Sequence, residues 1–418
     1  MKKALSLLLV LTLILTLPLA SAEEKITLKV AYFGTAYVMD ENGNDRLASI
    51  YDDFTKEYPN IEVELVYIPN SDWSDYTTKI QTMYASGDAP DLVYCPGETE
   101  NVFFANQMVL PLTPFLEKNS EWQSEYEANV SEALRKLAMH DGEYYGFLQL
   151  WENDVLWINN EIFRQAGATI PTGSWTWDEF VAACDLIEKN TDAYAFFLPD
   201  TYYTNTGWLY SFGTGYLNDD STDVAFDSNA SRELMQFYAD AVKNGWASAD
   251  WTNLDYAAEF MNGRVAMIST GLWTVYSLAN ENYTDVSAAY IPTKYSDRQT
   301  SAWASMQVSS ATKHYDEAAL LAAWSGGENF NKRYFSEVCS NIPARSTINV
   351  PQSYPFQFDG LDLFLEAYPN TVGMQNPAYF ADLETIWRAC VSSVISGLKD
   401  VPAAVTDAAA EMRMVADF

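Results

Sequence analysis

Glu152 has the least ordinary setting of any residue in the chain. It lies in an apolar run within residues 141–163, DGEYYGFLQLWENDVLWINNEIF, between Trp151 and Trp157. An ionised carboxylate is costly to bury unless it is paired or hydrogen-bonded. Two kinds of partner can satisfy it: the hydroxyl groups of a ligand, or an arginine of a hinge between two lobes. We predict that this segment crosses between two lobes and helps to line a ligand cleft.

Aromatic residues are the other source of binding chemistry. The chain has 13 Trp, 27 Tyr and 21 Phe, which make up 15% of its residues, whereas charged residues make up only 19%. Many of these rings must belong to a core. Trp and Tyr also combine a large apolar face with a polar group, which suits stacking on the apolar face of a sugar ring.

The motifs of several enzyme classes are missing from the sequence. His140 and His314 are the only histidines, and there is no G-x-S-x-G, no H-E-x-x-H and no phosphate-binding glycine loop. Triad hydrolases, zinc proteases and nucleotide-binding enzymes are therefore excluded. A secreted glycoside hydrolase with paired carboxylates stays open as an alternative. Against it, no second acid has a comparably apolar setting and the α/β units are too few for an eight-fold barrel.

The first 22 residues resemble a secretory signal. Lys2 and Lys3 precede an apolar run, and residues 20–22, Ala-Ser-Ala, have the small-x-small pattern of a cleavage site. The mature chain should begin near Glu23. No cysteine follows the apolar run that could carry a lipid, and no later stretch is long and apolar enough to span a bilayer. We expect an exported protein, periplasmic or extracellular, that is soluble and has no membrane anchor.

Charge and cysteine content restrict the partners further. A formal net charge of -33 disfavours nucleic acid and anionic lipid surfaces as partners. The four cysteines, Cys95, Cys184, Cys339 and Cys390, are too widely spaced for a disulfide scaffold, so we expect mostly free, buried thiols. We expect no cofactor and no metal, because the acidic loop at residues 40–45 lacks the spacing of a calcium loop.

Hydrophobic periodicity predicts an α/β unit in the N-terminal part. Strands are expected at residues 26–33, 61–68 and 91–95, and helices at about 47–58 and 73–86, the second closed by Gly87. A further helix is predicted around 121–138. Strands and helices that alternate at this pitch indicate a parallel sheet covered by helices.

The pattern restarts after the segment around Glu152. Thr176 and Glu179 form a capping box for a helix, a short strand is predicted at 194–198, and Ser228 should open a helix that ends at Gly245. Residues 285–292 should be extended, followed by an aperiodic loop up to Met306. The end of the chain from Pro377 should be helical. About 396 mature residues in two such units favour two lobes.

Several spaced segments together resemble one family, the extracellular solute-binding proteins of ABC sugar importers, which includes maltose-binding and multiple-sugar-binding proteins. The segments are FTKEYPNIEVEL, YTTKIQTMYASGDAPDLVY, DGEYYGFLQLWENDVLWINNEIFRQAG with SWTWDEF, EFMNGRVAMISTGLW, NIPARS and VISGLKDVPAAVTDAAAEM. Their order and spacing extend over almost all of the mature chain.

The resemblance implies a two-lobe α/β fold of the type II periplasmic-binding-protein kind, with a hinge of several strands. One lobe would contain residues 23–149 and 293–343, and the other residues 150–292 and 344–418. The protein would bind a carbohydrate, an oligosaccharide above all, in the cleft and deliver it to an ABC permease as a monomer, without catalysis. Peptide or polyamine uptake is the rival within the binding class, since a negative cleft suits a cation.

The resemblance also assigns residues to the site. Trp273 would stack on the ligand, Glu152 would face the cleft, and Glu98 would contact the ligand from a strand end. Trp151 and Asn153 are register alternatives to Glu152, and Arg345 would be an ion-pair partner in the hinge. The remaining candidates flank strand ends, helix starts or the expected return loop: Gly34, Thr35, Trp73, Trp303 and Tyr379.

Overall fold

The fold was analysed in a computed structural model, which describes residues 25–34, 39, 42–69, 72–338, 341–349, 351–354, 356–365 and 371–417. The expected signal segment, Thr35 and Cys339 lie outside the described residues. The strands are β1 (Ile26–Phe33), β2 (Ile61–Ile68), β3 (Leu92–Pro96), β4 (Met139–His140), β5 (Glu143–Tyr144), β6 (Gly146–Asn153), β7 (Val155–Asn159), β8 (Met267–Thr270), β9 (Val286–Ala289), β10 (Gln299–Val308), β11 (Ile342–Pro343) and β12 (Thr371–Gly373).

Helices cover both sheets and fill the links between strands. They are α1 (Arg46–Glu57), α2 (Trp73–Ser86), α3 (Gly97–Ala105), α4 (Thr113–Leu116), α5 (Ser120–Asn129), α6 (Glu132–Arg135), α7 (Asn160–Ala166), α8 (Trp177–Asn190), α9 (Tyr202–Ser211), α10 (Asn229–Lys243), α11 (Tyr256–Met261), α12 (Thr274–Asn280), α13 (Tyr315–Ser325), α14 (Glu328–Glu337), α15 (Leu361–Leu365), α16 (Phe380–Ile395) and α17 (Val401–Ala416). Short 3-10 turns lie at Lys136–Ala138, Trp251–Asn253 and Pro351–Ser353.

The larger sheet has the strand order β11-β6-β10-β3-β1-β2, and β12 pairs with β10. β1 runs parallel to β2 and β3, as the N-terminal periodicity predicts. β10 runs antiparallel to both β3 and β6, so it joins the parallel unit to the segment that carries Glu152. The sheet is therefore mixed.

The prediction of an aperiodic loop up to Met306 was wrong. β10 occupies residues 299–308 in the middle of the larger sheet and is buried at nine of its ten positions. A strand that is covered on both faces has no alternation of apolar and polar residues, so its periodicity gives no signal.

The smaller sheet has the order β8-β7-β9, with β7 antiparallel to both neighbours. The strand predicted at 194–198 does not form, and only a single bridge joins Tyr194 to Val265. β6 and β7 are separated by Asp154 alone, so one short stretch of chain passes from the larger sheet into the smaller one.

Helix ends follow the capping chemistry of the sequence. The Asp72 carboxylate accepts from the Asp75 amide at the start of α2, and Gly87 ends that helix with φ of 79°. Thr176 and Glu179 form the predicted capping box of α8. The helix predicted around 121–138 is instead divided, because the chain is extended at Val130 and Ser131 caps a new turn.

The hydrophobic core is continuous through both sheets. A second, smaller cluster is separate from it, and there Ala31 and Val93 pack with Tyr76, Ile80 and Phe103. Among the cysteines that the structure describes, Cys95, Cys184 and Cys390 are buried free thiols.

Candidate functional site

Glu152 lies near the end of β6 and is 1% exposed. One carboxyl oxygen accepts from the Leu272 amide at 2.9 Å, and the other accepts from the Ile342 amide at 3.3 Å. No arginine pairs with it among the described residues, so the hinge-arginine explanation of its burial is wrong. Burial raises the pKa of this carboxyl to about 8, although the hydrogen bonds from Leu272, Ile342 and Asn341 lower it.

Asp154 follows two residues later and is completely buried. Its Oδ1 accepts from the Ser269 hydroxyl at 2.8 Å, whereas its Oδ2 has no hydrogen-bond partner in the described part of the chain. Burial raises the pKa of this carboxyl well above its usual range. The expectation that no second acid has an apolar setting comparable to that of Glu152 was therefore wrong.

Trp273 lies at the turn between β8 and α12, and its side chain is partly exposed. Its ring folds over Gly271, where any added Cβ would overlap the ring. The indole N–H donates to the Tyr256 hydroxyl at 3.1 Å. Because the Glu152 carboxyl holds the neighbouring Leu272 amide, this carboxyl also fixes the turn that carries the ring.

Tyr203, on α9, was not found from the sequence. It is 4% exposed, and its hydroxyl has no hydrogen-bond partner among the residues described. The charges of Asp154, Glu152 and Glu98 all act on this hydroxyl, and burial is the largest cause of its strongly raised pKa. Its ring centre is 6.0 Å from that of Trp273. α9 is buried at every position, so no amphipathic pattern marks one of its faces.

Glu98 lies in the first turn of α3, two residues after the end of β3, and is buried. Burial raises its pKa to about 7, and the charge of Glu384 on α16 adds to the increase. Glu384 accepts from the Tyr202 amide and from the Arg388 guanidinium, at 3.2 and 3.4 Å. The charge of Asp72 acts on Glu384 in turn. Acids from α2, α3 and α16 therefore lie close together.

Trp303 lies on β10 and is 5% exposed, rather than exposed on a loop. Its ring is packed against Gly97 and Gly373, which leave no space for a Cβ on either residue. The indole N–H donates to a carboxyl oxygen of Glu100 at 3.2 Å. Burial raises the pKa of Glu100 to about 8. The prediction that Trp303 lies in the return loop was wrong, and on β10 its ring supports the α3 segment that carries Glu98.

Gly34 and Trp73 lie together beside the end of β1. Gly34 has φ of 41°, and its amide donates to the Ile68 carbonyl at 2.9 Å. Trp73 is half-buried at the start of α2 and packs edge-on against Phe33, with ring centres 5.3 Å apart. Trp73 therefore has both a core face and an accessible part.

Three further candidates have structural contacts. Trp151 is 3% exposed and is paired across the sheet with Trp303. The Asn153 amide donates to the carbonyls of Leu363 and Phe364 on α15, at 3.2 and 3.3 Å. Tyr379 is partly buried at the start of α16. Trp151 and Asn153 thus hold β6 in place.

Arg345 is an ion-pair partner, as predicted. Its guanidinium is fully buried and binds both carboxyl oxygens of Glu125, at 2.6 and 2.9 Å. It also donates to the Gly326 carbonyl at 2.7 Å. Within the described ranges, no group of three or more His, Cys, Asp or Glu side chains is arranged to hold a metal ion, and no helix is long and apolar enough to cross a membrane.

A family model for bacterial extracellular solute-binding proteins matches residues 40–328 of the 418. The chain belongs to this family. The resemblance inferred from the spaced segments is therefore confirmed.

Solved structures of this family share the fold. An ABC substrate-binding protein from Listeria monocytogenes, solved in complex with cycloalternan, has a TM-score of 0.82 at 21% identity, with 94% of this chain and 100% of that chain covered. The GacH receptor of Streptomyces glaucescens, solved unliganded and with acarbose, has a TM-score of 0.78 at 18% identity, covering 94% and 99%. UgpB from Mycobacterium tuberculosis, in complex with glycerophosphocholine, has a TM-score of 0.76 at 16% identity, covering 93% and 98%. The two-lobe α/β fold is confirmed.

Proposed function

We propose that this protein binds a carbohydrate, specifically an oligosaccharide, in the cleft between its two lobes. The N-terminal lobe would contain residues 23–149 and 293–343, and the C-terminal lobe residues 150–292 and 344–418. The observation that carries the proposal is the partly exposed Trp273 ring beside the Tyr203 hydroxyl, which has no hydrogen-bond partner among the described residues, and the buried carboxyls whose charges act on it. An aromatic ring next to hydrogen-bonding groups suits a sugar, whose apolar face can stack on the ring while its hydroxyl groups form hydrogen bonds.

We assign stacking and hydrogen bonding to different residues of the proposed site. Trp273 stacks on a sugar ring, while Glu98 and the Tyr203 hydroxyl bond its hydroxyl groups from opposite lobes. Glu152 already accepts from two backbone amides, and its remaining lone pairs are directed to the ligand. Trp73 lines the N-terminal side of the cleft, with Gly34 next to it.

Other candidates keep supporting positions in the proposal. Tyr379 borders the cleft from α16. Trp151, Asn153 and Trp303 act on the ligand only through the strands and helices that they hold. Thr35 stays a candidate hydroxyl contact beside Gly34.

We infer that the loaded protein delivers its ligand to an ABC import permease and catalyses no reaction. It is exported through the signal segment 1–22, carries no lipid anchor and acts as a monomer. Membership of the extracellular solute-binding family supports this role. The cycloalternan and acarbose complexes among the similar structures support a carbohydrate as the ligand.

A thermal and fluorescence screen tests the proposal. A ligand that binds only the folded state stabilises it by mass action, by about 2.7 kcal/mol at a concentration 100 times Kd. Its binding therefore raises Tm. We expect at least one oligosaccharide to raise Tm and to change tryptophan fluorescence. Mass spectrometry of a ligand that stays bound during purification would identify it directly. A flat response across a broad sugar library would refute carbohydrate binding.

A second candidate is a non-sugar solute such as a polyamine or a peptide. The observation that favours it is the group of acids from α2, α3 and α16. The glycerophosphocholine complex of a similar structure supports a wider range of ligands for the fold.

A glycoside hydrolase is the less favoured alternative. The lack of a second buried acid no longer argues against it, because Asp154 is as buried as Glu152. Release of reducing ends from any glycan would replace the binding proposal with an enzymatic one.

A further inference from the structure

The acids of the proposed cleft greatly outnumber its cations. Glu98 on α3 and Glu384 on α16 are close enough for the charge of Glu384 to raise the pKa of Glu98. The charge of Asp72, at the start of α2, acts on Glu384. Arg388 is the cation in contact with this group, and it binds Glu384 at 3.4 Å. In the described part of the chain, no ion pair reaches Glu98.

A second observation points to a ligand at the same place. The Tyr203 hydroxyl is buried without a partner among the described residues, and the charges of Glu98, Glu152 and Asp154 all act on it. Asp154 Oδ2 is also buried and unpartnered within the described ranges. These groups contribute carboxyl oxygens and one phenol oxygen, and in the described part of the chain no lysine or arginine pairs with Glu98, Glu152 or Asp154. Because each of these oxygens can accept a hydrogen bond, a group that donates several hydrogen bonds is a chemical complement of the set.

The aromatic rings of Tyr203 and Trp273 also favour a cationic group. The Tyr203 and Trp273 rings lie 6.0 Å apart, with 46° between their planes. Aromatic faces attract cations, and Trp does so most strongly. The formal net charge of -33 also raises the local concentration of cationic solutes at the surface.

We propose that the ligand carries a protonated amine, which binds between the Glu98 carboxylate and the Tyr203 hydroxyl, next to the Trp273 ring. The substrate class is then an amino sugar or an aminated oligosaccharide. This proposal rests on the carbohydrate-binding function and narrows it. The ammonium group would donate to both protein groups, while the rest of the sugar stacks on Trp273.

The protonation of Glu98 gives the proposed amine site a characteristic pH dependence. Burial and the charge of Glu384 raise the pKa of Glu98 to about 7, and the titratable groups that interact electrostatically with this carboxyl are Glu384 from α16, Tyr203 from α9 and Cys95 from β3. An ammonium favours the ionised form of Glu98, so binding at pH 6 releases a proton. Affinity for the amine should rise as the pH increases from 5 to 7.5, whereas affinity for a neutral sugar should not.

The test compares matched probes on the full chain by isothermal titration calorimetry at pH 7. Maltotriose, cellotriose and raffinose are each measured against a derivative in which one primary hydroxyl is replaced by an amine, and spermidine is measured as an amine without a sugar. We expect at least one aminated sugar to bind about 10-fold or more tightly than its neutral parent, as for a charge-assisted hydrogen bond in place of a neutral one.

The outcomes separate the two proposals. If neutral sugars bind as well as the aminated forms or better, the amine is refuted and carbohydrate binding stands. If spermidine alone binds, a cation site stands and carbohydrate binding is refuted. If none of the probes binds, both proposals are refuted.

A matched pair of variants locates the amine. Glu98→Gln keeps the shape of the side chain and should remove most of the roughly 10-fold preference for the aminated sugar, together with the proton release. Its affinity for the neutral parent should fall less than its affinity for the aminated sugar, since a neutral hydrogen bond is lost in place of a charge-assisted one. Glu188→Gln, on the exposed face of α8, removes an equal charge elsewhere and should leave the preference intact. Equal behaviour of the two variants would overturn the assignment to Glu98.

Discussion

Replacing Glu152 by glutamine separates the charge of this side chain from its shape. The carboxyl is 1% exposed, and burial raises its pKa to about 8, compared with about 4.5 for an ordinary glutamate. Its hydrogen bonds from the Leu272 and Ile342 amides and from the Asn341 side chain do not offset the loss of water. At neutral pH we therefore expect a protonated, uncharged Glu152 in the folded protein.

The sign of the effect on stability follows from linkage. Between about pH 4.5 and 8 the folded protein keeps the Glu152 proton while the unfolded chain loses it, so the folded state binds more protons. The stability that this group contributes is fully present below about pH 4.5 and decreases as the pH rises towards 8. The decrease is about 1.4 kcal/mol per pH unit, or roughly 4 kcal/mol between pH 5 and 8.

Glu152→Gln has no proton to lose in this range. The free energy of unfolding of the variant, minus that of the wild type, should therefore rise by roughly 4 kcal/mol between pH 5 and 8. Guanidinium unfolding followed by tryptophan fluorescence at four pH values measures this difference. Glu188→Gln, whose side chain is exposed on α8, is the control and should follow the wild type at each pH.

Parallel stability curves for the wild type and Glu152→Gln would refute the reasoning, because they would mean that the carboxyl is already ionised in the folded protein. Glu152→Ala also has no proton to lose, so its stability relative to the wild type should change with pH in parallel with that of Glu152→Gln. Because it leaves two buried amides without an acceptor, it should be less stable than Glu152→Gln by roughly 2 to 5 kcal/mol at every pH.

Three other predictions concern the site and the hinge. Trp273→Ala should weaken the binding of any stabilising sugar about 10-fold or more, since stacking and burial are worth roughly 1 to 3 kcal/mol, and an unchanged Kd in calorimetry would remove the ring from the site. Gly271→Ala would push the Trp273 ring aside, so both sugar affinity and the near-UV circular dichroism should change; native values of both would contradict the packing seen at this turn. Arg345→Ala and Glu125→Ala should each cost roughly 2 to 5 kcal/mol in chemical denaturation, because the first removes a buried side chain and the second leaves the buried guanidinium without its counter-charge; a loss within about 1 kcal/mol for either variant would contradict the burial of this pair.

The sequence was most informative where one face of an element is covered. β1, β2 and α2 were predicted almost residue by residue, because their apolar positions alternate or recur with a helical period. β10 and α9 could not be predicted, since both are buried on almost all sides and therefore lack a periodic pattern of apolar and polar residues. The residues that join the two sheets therefore had to be found from the structure.

The same limit applies to the proposed site. Glu152, Glu98 and Trp273 could be proposed from the sequence because each has a marked position, in an apolar run or at a strand end. Tyr203 has no such mark within α9, and Asp154 was overlooked two residues from Glu152. Only the fold shows that the charges of Glu98, Glu152 and Asp154 converge on one phenol.

The hinge region separates its buried cation from its buried acids. The Arg345 guanidinium is neutralised by Glu125 and also donates to the Gly326 carbonyl. It is therefore not available to pair with Glu152 or Asp154. Glu152 and Asp154 are held only by neutral donors among the described residues, and both have raised pKa values. Any ligand that donates to these acids shifts the protonation equilibria that also set the stability of the free protein. A cationic ligand should then flatten the loss of stability between pH 5 and 8 most, because the bound acids stay ionised, whereas a neutral sugar should raise the whole curve and flatten it less.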